Sequence, residues 1–200
     1  MVYPSLAKLA EQNPQTKTWG QTTNPLEHDP TTFRYLVHQI TDGAGPNFSI
    51  KDPGQFTLSA LGFGPNQAEQ PNLNGLDRVS ASLIDPQHTA TFSIGRWGYI
   101  LSVPESDVIA TSPRDIGRNA FVLSEEELEE KYPVLQPEML LAQTDEYRHN
   151  EVLIRSGNIE ISGVFYLGSE FPDMGPSHID VEFTQLQRAA RALTVPTIAI

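Results

Sequence analysis

Short runs of apolar, β-branched and aromatic residues, bounded by turn-forming residues, dominate the middle of the chain. These runs occupy residues 33–40, 78–84, 89–94, 99–103, 107–111, 151–155 and 159–167. Runs of this length and composition, closed by Gly, Pro, Asn or Asp, are typical of β-strands. The first of them ends at Asp-Gly-Ala-Gly-Pro over residues 42–46, which is a strong turn signal. The pattern therefore predicts a core built mainly of short strands.

Helix signals are confined to a few segments. Ser124 is followed three residues later by Glu127, which predicts a capping box and a helix that ends before Pro133. A second helix is predicted over residues 137–143, because proline suits the first turn of a helix. Apolar residues recur at helical spacing over residues 180–193, which predicts a third helix.

The remaining segments define the domain organisation. Residues 1–32 are rich in Gln, Asn, Thr and Pro, and we expect an N-terminal arm or a short helix there. Residues 33–200 form a single domain in this prediction, with a long irregular excursion over residues 46–77 that includes a strand near 56–61. Residues 171–177 are predicted as a loop, and the apolar tail suits an edge strand. Strands with a few helices indicate the α+β class.

Composition and charge exclude several classes of function. The 200-residue chain has no cysteine, which excludes disulfides, zinc–thiolate sites and a thiol nucleophile. Its net charge of −12, with thirteen scattered Lys and Arg residues, argues against a general nucleic-acid binder. No apolar run reaches membrane-spanning length, and the N-terminus lacks the apolar region of a secretory signal. We therefore expect a cytoplasmic protein, or an effector exported by a non-classical route.

Three polar features stand on predicted strands. His38 lies within the first strand, Ser80 and Ser82 point to one face of the second, and Glu151 heads the apolar run Val-Leu-Ile. A carboxylate at such a position is notable because an unpaired buried charge is costly. Asn150 is placed to help orient Glu151. Each feature alone also fits an ordinary structural role, as a core histidine, an exposed strand face or a strand end.

In chain order these features resemble the strand motifs of the ADP-ribosyltransferase superfamily. The family carries an Arg or His in its first strand, a Ser-x-Ser motif or an aromatic residue in its second, and the catalytic Glu in its fifth. Residues 98–104 with 108–109 are also similar to middle strands of bacterial toxin-like members. Residues 151–154 with 159–165 are similar to the paired late strands of the poly-ADP-ribose polymerase branch. The resemblance covers about residues 33–167.

The resemblance implies a fold, a substrate and a set of roles. The fold would be two small, mostly antiparallel sheets that form a split β core with flanking helices. NAD would bind in the cleft, with His38 on the adenosine-side ribose and Gln39 at the position where the polymerase branch has a glycine that contacts the nicotinamide amide. Ser80 and Ser82 would support the nicotinamide ribose and orient Glu151. Glu151 would stabilise an oxocarbenium-like transition state. ADP-ribose would pass to a protein or small-molecule acceptor, or to water, which would make the chain a mono-ADP-ribosyltransferase or an NAD glycohydrolase.

Two positions differ from individual branches of the family. Gln39 follows His38 where the polymerase branch has glycine, and His149 stands where arginine-modifying members have Gln or Glu. The resemblance therefore does not imply arginine as the acceptor. Because the motifs are mixed between branches, a catalytically inactive member or a repurposed member stays open.

Two other classes of function remain open from the sequence. Residues 149–151 followed by the turn at 156–159 are similar to a cupin metal site, which would take further ligands from His88 and His178. The main prediction includes no metal. The third reading is a non-catalytic interaction module with an acidic, β-rich surface.

Overall fold

The fold is known from a computed structural model that describes residues 18–40, 78–89, 97–117, 119–145, 147–155, 158–166, 190–191 and 193–200. In these ranges the strands are β1 Tyr35–Ile40, β2 Arg78–Ile84, β3 Trp97–Ser102, β4 Val108–Ser112, β5 Glu151–Arg155, β6 Glu160–Tyr166 and β7 Thr197–Ala199. The helices there are α1 Asn119–Val122, α2 Glu125–Lys131 and α3 Pro137–Gln143, with 3₁₀ turns at Pro25–Glu27 and Glu105–Asp107. The α+β class is confirmed.

Local sequence signals place most of these elements within about two residues. The capping box of α2 is present: Ser124 Oγ accepts from the Glu127 amide at 3.2 Å, and Glu127 Oε2 accepts from the Ser124 amide at 2.7 Å. The single turn α1 was not predicted, because four residues carry too little periodicity to read. The predicted elements at 2–9, 56–61, 89–94 and 180–193 and the loop at 171–177 lie wholly or mainly outside the described residues.

The described strands form one seven-stranded sheet in the order β4-β5-β2-β1-β3-β6-β7. Neighbouring strands are antiparallel, except that β7 runs parallel to β6. The sequence predicted two small sheets, and that division is not shown. The motif-bearing strands β5, β2 and β1 are consecutive in the sheet, which places their side chains within reach of one another.

The central strands β1 and β2 pair over only part of their length. Their register runs from Tyr35↔Ile84 to Val37↔Ser82. Beyond that point β2 pairs with β5 through Ala81↔Val152, while β1 continues along β3 with His38 opposite Tyr99. In the described residues, His38 and Ser80 therefore stand where the two strands cease to be paired.

Apolar residues cover both faces of the sheet, as alternation along the strands requires. Leu36, Leu83 and Leu101 belong to the larger cluster on one face, which also buries Trp19 to 3% exposure. Trp19 lies in the segment before β1, and its amide donates to the Val103 carbonyl at 2.8 Å. A one-residue slip would move each side chain to the opposite face and among different neighbours, so close packing on both sides specifies the register.

Candidate active site

Glu151 is a buried carboxyl at the head of β5. It is 5% exposed, because β5 lies between β4 and β2 in the interior of the sheet. Its Oε1 accepts a hydrogen bond from Ser80 Oγ at 2.7 Å, and its Oε2 accepts one from the Ile116 amide at 2.6 Å. Both oxygens are thus held by donors from two different elements, which fixes the orientation of the carboxyl group.

The environment of Glu151 disfavours its charged form. Burial, as the largest cause, raises its pKa from 4.5 to about 7. The hydrogen bonds from Ser80 and Ile116 favour the carboxylate and offset part of this effect, while the neighbouring Asp115 carboxyl raises the pKa further. The group consequently changes its charge near neutral pH, where acid–base and electrostatic catalysis operate.

The two serines of β2 have different partners. They share one face of the strand, and both are half-buried. Ser80 donates to Glu151, whereas Ser82 Oγ donates to the Asn150 carbonyl oxygen at 2.8 Å. Ser80 therefore binds the carboxyl group of Glu151 directly, and Ser82 binds the backbone of Asn150, which precedes Glu151.

Asn150 ties the start of β5 to the end of β2. This residue is 1% exposed. Its Oδ1 accepts from the Leu83 amide and its Nδ2 donates to the Leu83 carbonyl, each at 2.8 Å. The side chain thus satisfies two buried backbone groups in the way a strand residue would. Together with the Ser82 hydroxyl it fixes the backbone from which Glu151 extends.

His38 lies at the edge of β1 where that strand leaves β2. Its Nδ1 donates to the Ser80 carbonyl oxygen at 2.7 Å, because a carbonyl can only accept. Burial lowers the pKa of His38 from 6.5 to about 4, so the ring is neutral at physiological pH. By alternation His38 lies on the face of Leu36 and Tyr99, opposite to the hydroxyl of Ser80.

The structure brings Ser80 and Glu151 together on one face of the sheet, whereas the His38 ring lies on the other face and reaches only the backbone of Ser80. His38 contacts the backbone of Ser80, and the Ser80 side chain contacts Glu151. Ser82 contacts the carbonyl of Asn150, the residue before Glu151. The backbone of Gln39 lies opposite Gly98 in β3, and its side chain lies outside the described residues.

Sequence reasoning missed the loop after β4, over residues 113–117. The Ile116 amide of this loop binds Glu151, and Ile116 itself is buried beside Leu153. The Asp115 carboxyl raises the pKa of Glu151, and its Oδ2 lies 3.9 Å from His149 Nε2. A short Asp-Ile-Gly turn carries no signal for such a role, because its proximity to Glu151 arises from the pairing of β4 with β5.

The histidines of the cupin-like alternative do not form a metal site in the described residues. His88 contacts the Asp85 carboxyl at 2.8 Å, and His178 lies outside the described residues. No group of three or more His, Asp or Glu side chains suited to hold a metal ion is found in the part of the chain that the structure describes.

Neither a membrane-spanning helix nor a relative of known function is found for the described structure and the chain. Among the described helices, none has the length and apolar character needed to cross a membrane. Comparison of the chain with protein-family models, with curated proteins and with solved structures gives no match.

Proposed function

We propose that the chain binds NAD, breaks its nicotinamide–ribose bond and passes the ADP-ribosyl group to an acceptor. The observation that carries this proposal is the 2.7 Å hydrogen bond from Ser80 Oγ to the buried carboxyl of Glu151. His38 adjoins the same Ser80 through its carbonyl. The resemblance assigns these three residues to one site, and they come from strands that are distant in sequence.

The sheet geometry supports a cleft at this position. The strand pairing of β1 with β2 ends at Val37↔Ser82, and beyond that point His38 Nδ1 bridges to the Ser80 carbonyl in place of a backbone ladder. A split β core of the ADP-ribosyltransferase type has its NAD cleft between strand edges that separate in this way. The proposal therefore includes that fold as the finer description of the seven-stranded sheet.

The chemistry required of Glu151 fits its surroundings. Cleavage of the nicotinamide–ribose bond develops positive charge on the ribose, and a fixed carboxylate stabilises this charge most strongly in a site that excludes water. Glu151 is fixed by two hydrogen bonds and is 5% exposed. Because the ionised form is the active one, turnover should rise with pH through about 7.

The other residues take supporting roles in the proposal. Neutral His38 holds the adenosine-side ribose at the point where β1 leaves β2, the place where its ring, on the face opposite to Glu151, adjoins Ser80. Gln39 takes the position of the glycine that contacts the nicotinamide amide in the polymerase branch. Ser80 orients Glu151 and supports the nicotinamide ribose, and Ser82 stabilises the site through Asn150. The acceptor is a protein or a small molecule, and water takes its place in NAD hydrolysis.

Binding of NAD tests the proposal before any chemistry is measured. NAD should raise the melting temperature of the purified chain, and calorimetry should give one site. His38→Ala should weaken binding about tenfold, equivalent to the loss of one hydrogen bond. His88→Ala is the matched control, since His88 contacts Asp85 and not Ser80. No binding of NAD to the wild-type chain at millimolar concentration would refute the proposal.

A further inference from the structure

The Glu151 carboxyl has a second carboxyl beside it in a different setting. Asp115 precedes Ile116, whose amide binds Glu151, and its Oδ2 lies 3.9 Å from His149 Nε2, two residues before Glu151. Its side chain is 59% exposed, whereas Glu151 is 5% exposed. Two adjacent carboxyl groups in unlike surroundings commonly divide the roles of charge stabiliser and acid–base group in an active site. The buried Glu151 suits the first of these roles, and the exposed Asp115 suits the second.

We propose that Asp115 is the general base that takes the proton from the acceptor nucleophile. This inference rests on the proposed function and adds the residue that activates the acceptor. It predicts an acceptor group that loses a proton when it attacks, such as a hydroxyl, an amine or water.

The backbone of the loop fixes the position of Asp115. Asp115 Oδ1 accepts from the Gly117 amide at 2.6 Å, and Gly117 adopts a φ of 59° that favours glycine. The next residue, Ile116, is anchored twice, by burial in the core and by its amide bond to Glu151 Oε2 at 2.6 Å. The carboxyl is thus positioned next to Glu151 by fixed neighbours and is still open to solvent.

The other candidate bases fit this role less well. Both oxygens of Glu151 accept internal hydrogen bonds, and the carboxyl is needed as a charge at the ribose. His149 has a side chain that is 23% exposed, and its Nε2 faces Asp115 Oδ2 at 3.9 Å. An acceptor that approaches from solvent meets the more exposed Asp115 first.

The proposed step balances without a further reactant. The acceptor oxygen or nitrogen forms a bond to the anomeric carbon of the nicotinamide ribose as the bond to nicotinamide breaks. The electron pair of that bond returns to the ring nitrogen, so nicotinamide leaves as a neutral molecule. The proton of the acceptor goes to the Asp115 carboxylate, and from there to solvent.

Azide rescue of an Asp115→Asn variant tests this assignment. Asn keeps an oxygen for the Gly117 amide but is no base, so nicotinamide release should fall about 100-fold with NAD binding and melting temperature unchanged. Azide is an anion with no proton to lose, and it should restore release in this variant and yield ADP-ribosyl azide. Asp115→Ser is the second variant, and the matched controls are His149→Gln and Glu151→Gln.

The results distinguish a failure of the Asp115 assignment from a failure of the proposed ADP-ribosyl transfer. Azide rescue of the Asp115 variants, without rescue of Glu151→Gln, would support it. Full activity of both Asp115 variants, or rescue confined to His149→Gln, would overturn it while leaving the proposed function in place. A wild-type chain that releases no nicotinamide, with or without cell lysate as acceptor, would overturn both.

Discussion

Replacement of Glu151 by Gln should remove one contribution to the pH dependence of the free energy of unfolding, the one that comes from ionisation of Glu151. In the folded chain burial raises the pKa of Glu151 to about 7, against 4.5 for an exposed glutamate. Between these two values the folded chain holds a proton that the unfolded chain has lost. The free energy of unfolding therefore falls as the pH rises through this window, and the contribution is fully present only below pH 4.5.

The structure gives the size of this effect. A pKa raised from 4.5 to about 7 corresponds to about 3 kcal/mol of stability lost when Glu151 ionises in place. Gln is compatible with the site, because its oxygen can accept from the Ile116 amide and its NH₂ can donate to Ser80 Oγ. The variant should match the wild type near pH 4.5 and exceed it by up to about 3 kcal/mol near pH 8.

Urea unfolding at a series of pH values measures this difference, with the fluorescence of buried Trp19 as the signal.

His38 changes the free energy of unfolding with pH in the opposite direction to Glu151. Its pKa of about 4 in the folded chain makes stability rise with pH up to 6.5, where the unfolded ring titrates. Both proteins share that contribution, so it cancels from their difference. Glu130→Gln, at an exposed position of α2, is the control for the loss of one charge. A stability difference between the wild type and the Glu151→Gln variant that stays constant from about pH 4.5 to about pH 8 would refute the reasoning.

Three further substitutions probe the support of the site. Ser80→Ala removes the donor to Glu151 Oε1, which should raise the pKa of Glu151 further and move the rise of the pH–rate profile to higher pH; an unmoved profile would contradict the role of that hydroxyl. Asn150→Ala leaves the buried amide and carbonyl of Leu83 without partners, and urea unfolding should register a loss of about 2–4 kcal/mol; a loss under about 0.5 kcal/mol would argue against the clamp. Gly20→Ala places a Cβ 2.8 Å from Leu83 Cδ1 at a φ of 73°, so the melting temperature should fall by several degrees; an unchanged value would contradict this strain.

Local sequence signals were sufficient for most strands and for two of the helices. Alternation and turn residues bound each strand, and Ser124 with Glu127 fixes the start of α2. The order of strands in the sheet was not readable, because it depends on pairings between residues far apart in sequence. The parting of β1 and β2 belongs to this class.

For the candidate site too, local sequence signals identified some residues, and contacts between distant strands determined others. Glu151 could be singled out because a charged residue at the head of an apolar strand needs a partner when it is buried. Its contact with Ser80 was expected from the resemblance. The position of Asp115 near Glu151 was not expected, since the loop after β4 carries no pattern and reaches Glu151 only through the β4–β5 pairing. Ser82 was expected to support the ribose and to orient Glu151, and its hydroxyl binds the carbonyl of Asn150, the residue before Glu151.

Release of nicotinamide from NAD tests the central claim most directly. The assay compares wild-type chain, Glu151→Gln and Glu130→Gln, each with and without cell lysate as a source of acceptors. We expect release by the wild type and by Glu130→Gln, and a rate at least about 100-fold lower for Glu151→Gln. Equal release by the wild type and Glu151→Gln, or no release by the wild type in either condition, would contradict the assignment of Glu151 as the catalytic residue.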